Sequence, residues 1–173
     1  MARIFDNLGA LQPAQALPPA QALQPAQAST QPPANETAAQ KAQRLQGGYQ
    51  AFLADPRNRS TPDAAISFLR KLSRNELLSP RTTQYLIDLM AAQTVPRRLR
   101  SGLPAGVSLA DKCGTSETVN GRTAAFNDIG ILTWPDGRTV LVAAFLTGSA
   151  ASEAELESIF ADLGRETAEA FRN

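Results

Sequence analysis

The sequence predicts an α+β fold: helices first, then an antiparallel meander of strands, then a closing helix. Three observations carry that prediction. Two Ser/Thr-Pro helix starts, at Thr61-Pro62 and Ser79-Pro80, each open a stretch with apolar residues at helical spacing. Three strand-like runs follow between 107 and 147, the last two joined by "PDG" at 135–137. Ser152 and Glu155 then form a capping-box pair at the head of a final amphipathic stretch.

The elements follow in chain order. Residues 1–9 read as a residual helix, with Ile4, Phe5 and Leu8 on one face and Gly9 as its stop. Residues 10–35 read as a disordered linker built on "LQPAQA LPPAQA LQPAQA" from Leu11 to Ala28. A proline in every unit blocks helix and sheet and favours an extended polyproline-like chain. A six-residue period also suits a left-handed β-helix, but three units poor in β-branched residues are too few for one. The remaining 36–173 reads as a single partial domain.

Glu36 to Ala54 is predicted helical, broken or bent at Gly47-Gly48. In the next helix Thr61 is the N-cap, Pro62 opens the first turn, and Ile66, Phe68, Leu69 and Leu72 form the buried stripe. Ser79 and Pro80 repeat the device, with Tyr85, Leu86, Leu89 and Met90 facing inward. Through "PRRLRSGLPAG" the chain reads as a loop, in which Arg97, Arg98 and Arg100 are solvated rather than a binding patch. Strands are predicted over Val107–Lys112, Ala124–Trp134 and Thr139–Thr147. "VLVAAFL" is apolar on both faces, which suits a central strand, and Trp134 closes the hairpin. Ser152 to Phe171 is the last helix, with Leu156, Ile159, Phe160 and Leu163 on its apolar face.

Composition narrows the chemistry. Of 173 residues, 17 are basic and 16 acidic, a net charge of +1 that gives no reason to expect nucleic acid or an anionic membrane as partner. The chain has no histidine, which excludes a Ser-His-Asp triad, a Cys-His pair and every His-based metal site. Its one cysteine, Cys113, makes no internal disulfide and no all-cysteine zinc site. No cofactor and no metal are expected. No apolar run approaches a membrane span or a signal peptide, so as written the chain would remain in the cytoplasm.

The segment with the most chemistry is "LADKCGTS", 109–116. By itself it reads as a strand running into a turn, with Lys112 solvated. Cys113 reads as a small strand residue or, with Lys112 lowering its pKa, a reactive thiol.

The longer run "LLSPRTTQYLIDLM…RLRSGLPAGVSLADKCGTS…FNDIGILTWPDGRTVLVAAFLTGS" resembles the C-terminal half of class A serine β-lactamases, in the penicillin-recognising serine hydrolase superfamily. The likeness runs from about Asp55 to Phe171. "DPRNRSTPDAA" resembles the exit of that family's omega loop and "ARIFDNLG" the helix before it. The resemblance implies a β-lactamase-like fold and hydrolysis of the β-lactam amide through an acyl-serine intermediate, hence antibiotic resistance and β-lactam breakdown. The family lines its cleft with an S-x-x-K helix, an S-D-N loop and a K-T-G strand. Lys112-Cys113-Gly114, followed by Thr115 and Ser116, is similar to the third.

On that resemblance Lys112 is a cation for the substrate carboxylate. Gly114 leaves room for ligand to approach the backbone, and the Thr115 N–H is an oxyanion-hole donor. Cys113 stands where the family has a hydroxyl that anchors the carboxylate. Phe126 stands near the place of a family arginine, with Arg122 close by, and Glu36 is the sole acid near the omega-loop glutamate. Neither S-x-x-K nor S-D-N occurs in these 173 residues. The implied ligand is a β-lactam or a cell-wall peptide-like small molecule. The implied partner is a complementing N-terminal half, and the family is exported to the periplasm. Loss of the nucleophile predicts no turnover by this chain alone; a non-catalytic binding module is the other expectation.

Overall fold

In a computed structural model of the chain, residues 35–94 and 98–172 are described. The expected helix over 1–9 and nearly all of the repeat linker lie outside those residues. The chain divides into two units, Met1–Glu36 and Thr37–Asn173, and every element below belongs to the second.

Its order is α1 (Ala38–Ala54), a 3-10 turn (Pro56–Asn58), α2 (Pro62–Ser73), α3 (Pro80–Ala91), α4 (Arg98–Ser101), β1 (Ser108–Thr115), β2 (Thr118–Val119), β3 (Arg122–Thr133), β4 (Thr139–Ser149) and α5 (Glu153–Ala170). The α+β class holds. Among the described residues no helix is long and apolar enough to cross a membrane. The caps fall where the residues place them: Thr61 accepts from the Ala64 N–H, Ser79 from Thr82 N–H, and Ser152 and Glu155 close a reciprocal capping box. Thr37 and Gln40 form a second box that starts α1.

Gly47-Gly48 does not break α1, which is continuous to Ala54 and buries no residue. A Cβ at either glycine would meet nothing within 4 Å, so nothing packs there to exploit a bend.

The predicted inward stripes are shifted. In α2 the buried residues are Ala65, Leu69 and Leu72, while Phe68 is exposed. In α3 Thr83 and Met90 are buried with Leu86 and Ile87 beside them, and Tyr85 and Leu89 face out. In α5 the inner face is Leu156, Phe160, Gly164 and Ala168, and Ile159 and Leu163 are exposed. The cause in α5 is close approach rather than hydrophobicity. A Cβ on Gly164 would lie 2.1 Å from the Leu99 carbonyl oxygen, so α4 rests directly on α5 backbone. Small residues are what that contact requires, and they carry little weight in an apolar pattern.

The sheet has four antiparallel strands. β1 pairs with β3 from Ser108↔Thr133 to Thr115↔Phe126, β4 pairs with the other edge of β3, and the short β2 folds back on the start of β3. The β3–β4 hairpin turns at Pro135–Gly137, where Gly137 has φ 85° and its N–H bonds to the Trp134 carbonyl. Trp134 is buried beneath it, with the Arg138 guanidinium 5.7 Å from its ring. β4 has no second neighbour among the described residues. Among the described residues it is therefore an edge strand, apolar on both faces, with Val140, Val142, Ala144 and Leu146 packed into the core.

Side-chain alternation splits the core across the sheet. Leu109, Phe126, Leu132 and Trp134 join Leu99, Leu156 and Phe160 on the α4–α5 side. Ala110 and Ile131 join Leu69, Leu72 and Met90 on the α2–α3 side.

Candidate functional site

β1 runs through the candidate segment as far as Thr115, three residues beyond its predicted end, and leaves only Ser116 outside the strand. Its pairing with β3 keeps a constant register, so alternation assigns every residue a face. Lys112 and Gly114 share the face of Ala110, toward α2 and α3. Asp111, Cys113 and Thr115 share the face of Leu109, toward α4 and α5.

Lys112 is exposed, and its Nζ donates to the Cys113 carbonyl oxygen. A Cβ at Gly114 would meet nothing within 4 Å, so the protein's own packing does not require glycine there. The Ser116 N–H bonds to the Ala125 carbonyl, and the Ser116 hydroxyl accepts from the Ala125 N–H. Antiparallel ladders alternate bonded and non-bonded residues. The neighbouring Thr115 N–H is therefore directed away from β3, off the edge of β1 that has no strand neighbour among the described residues.

Behind this edge stands a residue that the sequence reading misplaced. Arg98 is not a solvated loop residue: it opens α4 and is 1% exposed, the largest fully buried side chain described. Its guanidinium stacks on the Phe126 ring at 3.5 Å, and Phe126 meets Phe160 edge-on at 5.2 Å. It donates to the Gly114 carbonyl at 2.9 Å, to the Asn127 carbonyl and to the Thr115 hydroxyl. Glu157 lies 3.4 Å from its Nε.

Arg100 is likewise no solvated residue. It donates to the Leu109 carbonyl at 2.6 Å and pairs with the buried Asp111 carboxylate. Arg122, the nearby candidate on the strand, instead bonds to the Gly148 carbonyl. The signal missed in "RRLRS" was the small-residue cleft at Gly102 and Gly164, which brings α4 against α5 and draws Arg98 inside.

Cys113 is buried and lies off the open face. It receives the Gln93 side-chain N–H at 3.1 Å and sits 3.5 Å from Asp111 Oδ2. Burial first, then the charges of Asp128 and Asp111, push its thiol up to about 12. At neutral pH it is a thiol and not a nucleophilic thiolate, so the small-strand-residue reading is the one that fits.

Asp128, directly across the ladder from Cys113, is 0% exposed. One carboxylate oxygen takes the Leu99 N–H at 3.2 Å, satisfying a first-turn donor of α4. Burial, and next the charge of Asp111, raise its pKa to about 6, against hydrogen bonds from Leu99 and the Cys113 thiol. A raised carboxyl contributes stability that is full below the ordinary range near 4 and is lost as pH climbs through 6. The shift corresponds to about 3 kcal/mol. Urea unfolding of chelator-treated protein is expected to lose roughly that much between pH 4 and 7, and Asp128→Asn to flatten the slope. An unchanged slope in the variant would refute the assignment.

A cavity of about 420 Å³ lies against β3 and β4, lined by Phe52, Leu53, Arg59, Asn127 and Phe145 among others. None of Lys112 to Ser116 lines it, although Asn127 is the ladder partner of Gly114. Glu36 belongs to the other unit, and the site described here is built from Thr37–Asn173 alone.

Comparisons with known proteins agree with this architecture. The sequence pattern of the beta-lactamase enzyme family matches residues 20–171. The chain is 40% identical to the extended-spectrum beta-lactamase PER-1 of Pseudomonas aeruginosa over 109 residues, 62% of this chain and 35% of that protein. It is 31% identical to a beta-lactamase of Bacteroides uniformis over 129 residues, 73% of this chain and 44% of the relative. Among solved structures, a beta-lactamase from Chitinophaga pinensis DSM 2588 superposes with a TM-score of 0.65 at 32% identity. That match covers 74% of this chain and 47% of the other. The TLA-3 extended-spectrum beta-lactamase gives 0.63 at 36% identity, covering 66% and 42%. The chain thus spans between a third and a half of the length of these proteins.

Proposed function

This chain belongs to the beta-lactamase enzyme family, and from that premise we propose that β1 forms one wall of a cleft for a β-lactam or a related cell-wall peptide-like ligand. The observation that carries the reading is the edge of β1 left without a strand neighbour among the described residues, where an exposed Lys112, an unobstructed Gly114 and an outward Thr115 N–H lie together. Lys112 supplies positive charge for the ligand carboxylate. The Thr115 N–H supplies one donor to the oxygen that becomes negative when the carbonyl is attacked. Arg98, fully buried on the opposite face of the strand, holds the Gly114 carbonyl and the Thr115 hydroxyl from behind and so fixes the position of this wall.

The covalent steps need groups outside these 173 residues. A serine oxygen must attack the lactam carbonyl carbon, the C–N bond must break with a proton passing to nitrogen, and water must then cleave the ester. The S-x-x-K and S-D-N residues that perform those steps in the family are assigned to a separate or preceding segment, and this chain supplies the binding and oxyanion side.

The pure chain is therefore expected to show no turnover of a chromogenic β-lactam. A benzylpenicillin titration followed by amide NMR is expected to move the signals of 112–116 first, and Lys112→Ala to suppress those shifts. Catalytic hydrolysis by the pure chain, or shifts confined to other surfaces, would overturn the reading.

A further inference from the structure

We infer that Asp111, Cys113 and Asp128 form a binding site for a soft divalent cation of the zinc or cadmium class, inside the sheet behind the proposed cleft wall. Three observations lead there. One potential ligand atom from each residue lies within 4.8 Å of the other two, and all three residues are buried. Cys113 and Asp128 face each other across the β1–β3 ladder, so the cluster sits on two fixed strands rather than on loops. Asp128 Oδ1 is buried with no hydrogen-bond partner, although the residue is 0% exposed. A buried carboxylate oxygen left unsatisfied is costly in the unliganded protein, and a cation at that point removes the cost.

The donor set selects the ion. One thiolate with two carboxylates suits zinc or cadmium and does not suit magnesium or calcium, which prefer all-oxygen shells. Metal–ligand bonds of about 2.0–2.3 Å require the three groups to draw together by roughly 1 Å. Binding releases the Cys113 proton to solvent as the metal–sulfur bond forms, with no change of oxidation state. Two carboxylates and a thiolate around a divalent ion leave one net negative charge. Arg100, already paired with Asp111, lies in position to balance it as an outer partner. Gln93 donates its side-chain N–H to both Asp111 and Cys113. Turned about its amide, it presents oxygen to the ion as a fourth donor. The lack of histidine and of a second cysteine excludes the common zinc centres, but a mixed carboxylate–thiolate set escapes that exclusion.

The test uses the full chain, stripped with chelator and titrated with cadmium chloride. Equilibrium dialysis measures bound metal, and the ultraviolet cadmium–thiolate band reports the sulfur bond. One cadmium per chain with that band is expected, displaced by zinc. Cys113→Ser should lose the band, and Asp128→Asn should weaken binding by about tenfold or more. The same chain in urea should also bind at least about tenfold more weakly, since the unfolded chain has no assembled site. Unchanged affinity in Asp128→Asn, or equal binding in urea, would overturn the site as a lone thiol. Should Asp128→Asn fail to fold, Cys113→Ala takes its place, and one cadmium still bound to it would overturn the site equally. None of these outcomes depends on β-lactam binding.

Discussion

Arg98→Ala is expected to destabilise the domain by about 3–5 kcal/mol, measured as the loss in urea unfolding free energy. The side chain is 1% exposed and carries its charge among two carbonyls, a hydroxyl, Glu157 and the faces of two aromatic rings. Truncation removes the second hydrogen bond of the Gly114 and Asn127 carbonyls and the partner of the Thr115 hydroxyl, and leaves Phe126 beside a void. The neighbouring carboxylates then face each other with less positive charge between them. Arg98→Lys should recover only part of the loss, because an ammonium cannot fork to three acceptors while lying flat on a ring. A loss below about 1 kcal/mol, the range of an exposed arginine such as Arg70, would contradict this account of the domain's interior.

The second large effect is on activity. Co-expression with a family segment bearing S-x-x-K and S-D-N is expected to bring β-lactam hydrolysis from none by the chain alone to at least about a thousandfold over the uncatalysed rate. Folding gives an independent reason for a partner. β4 is an apolar strand with an unpaired edge among the described residues, and Phe68, Tyr85 and Leu89 present an uncovered face on α2 and α3. An open edge of that kind invites pairing with another chain. Complementation should therefore bring solubility as well as turnover, read as a monodisperse two-component complex. A complex that forms without hydrolysis would leave binding as the chain's role.

Much of this was legible in the sequence, and the misses have physical causes. Thr61, Ser79 and Ser152 announced three helices because a cap depends on neighbours three residues away, and the "PDG" turn did so for the hairpin. The inward faces were read less well. Phe68, Tyr85 and Leu89 are apolar but exposed, so hydrophobicity alone placed them wrongly while Ala65, Thr83 and Gly164 took the buried positions.

The site divided in the same way. Lys112, Gly114 and Thr115 could be placed by alternation along one strand, because that geometry is local. Arg98 and Asp128 could not, since their burial depends on α4 meeting α5 and on β1 meeting β3 across long separations in sequence. Cys113 was found in sequence, but its face was settled only by the register with Asp128.

The most direct measurement is the hydrolysis rate of a chromogenic β-lactam by the complemented pair, with Lys112 intact and with Lys112→Ala. The exposed lysine contributes nothing to the core, so its loss reports on the cleft rather than on folding. A fall of about 10²–10³-fold, with the complex still assembled, is the result expected of a residue on the wall that holds the reacting ligand. An unchanged rate would place the chemistry elsewhere and remove β1 from the site.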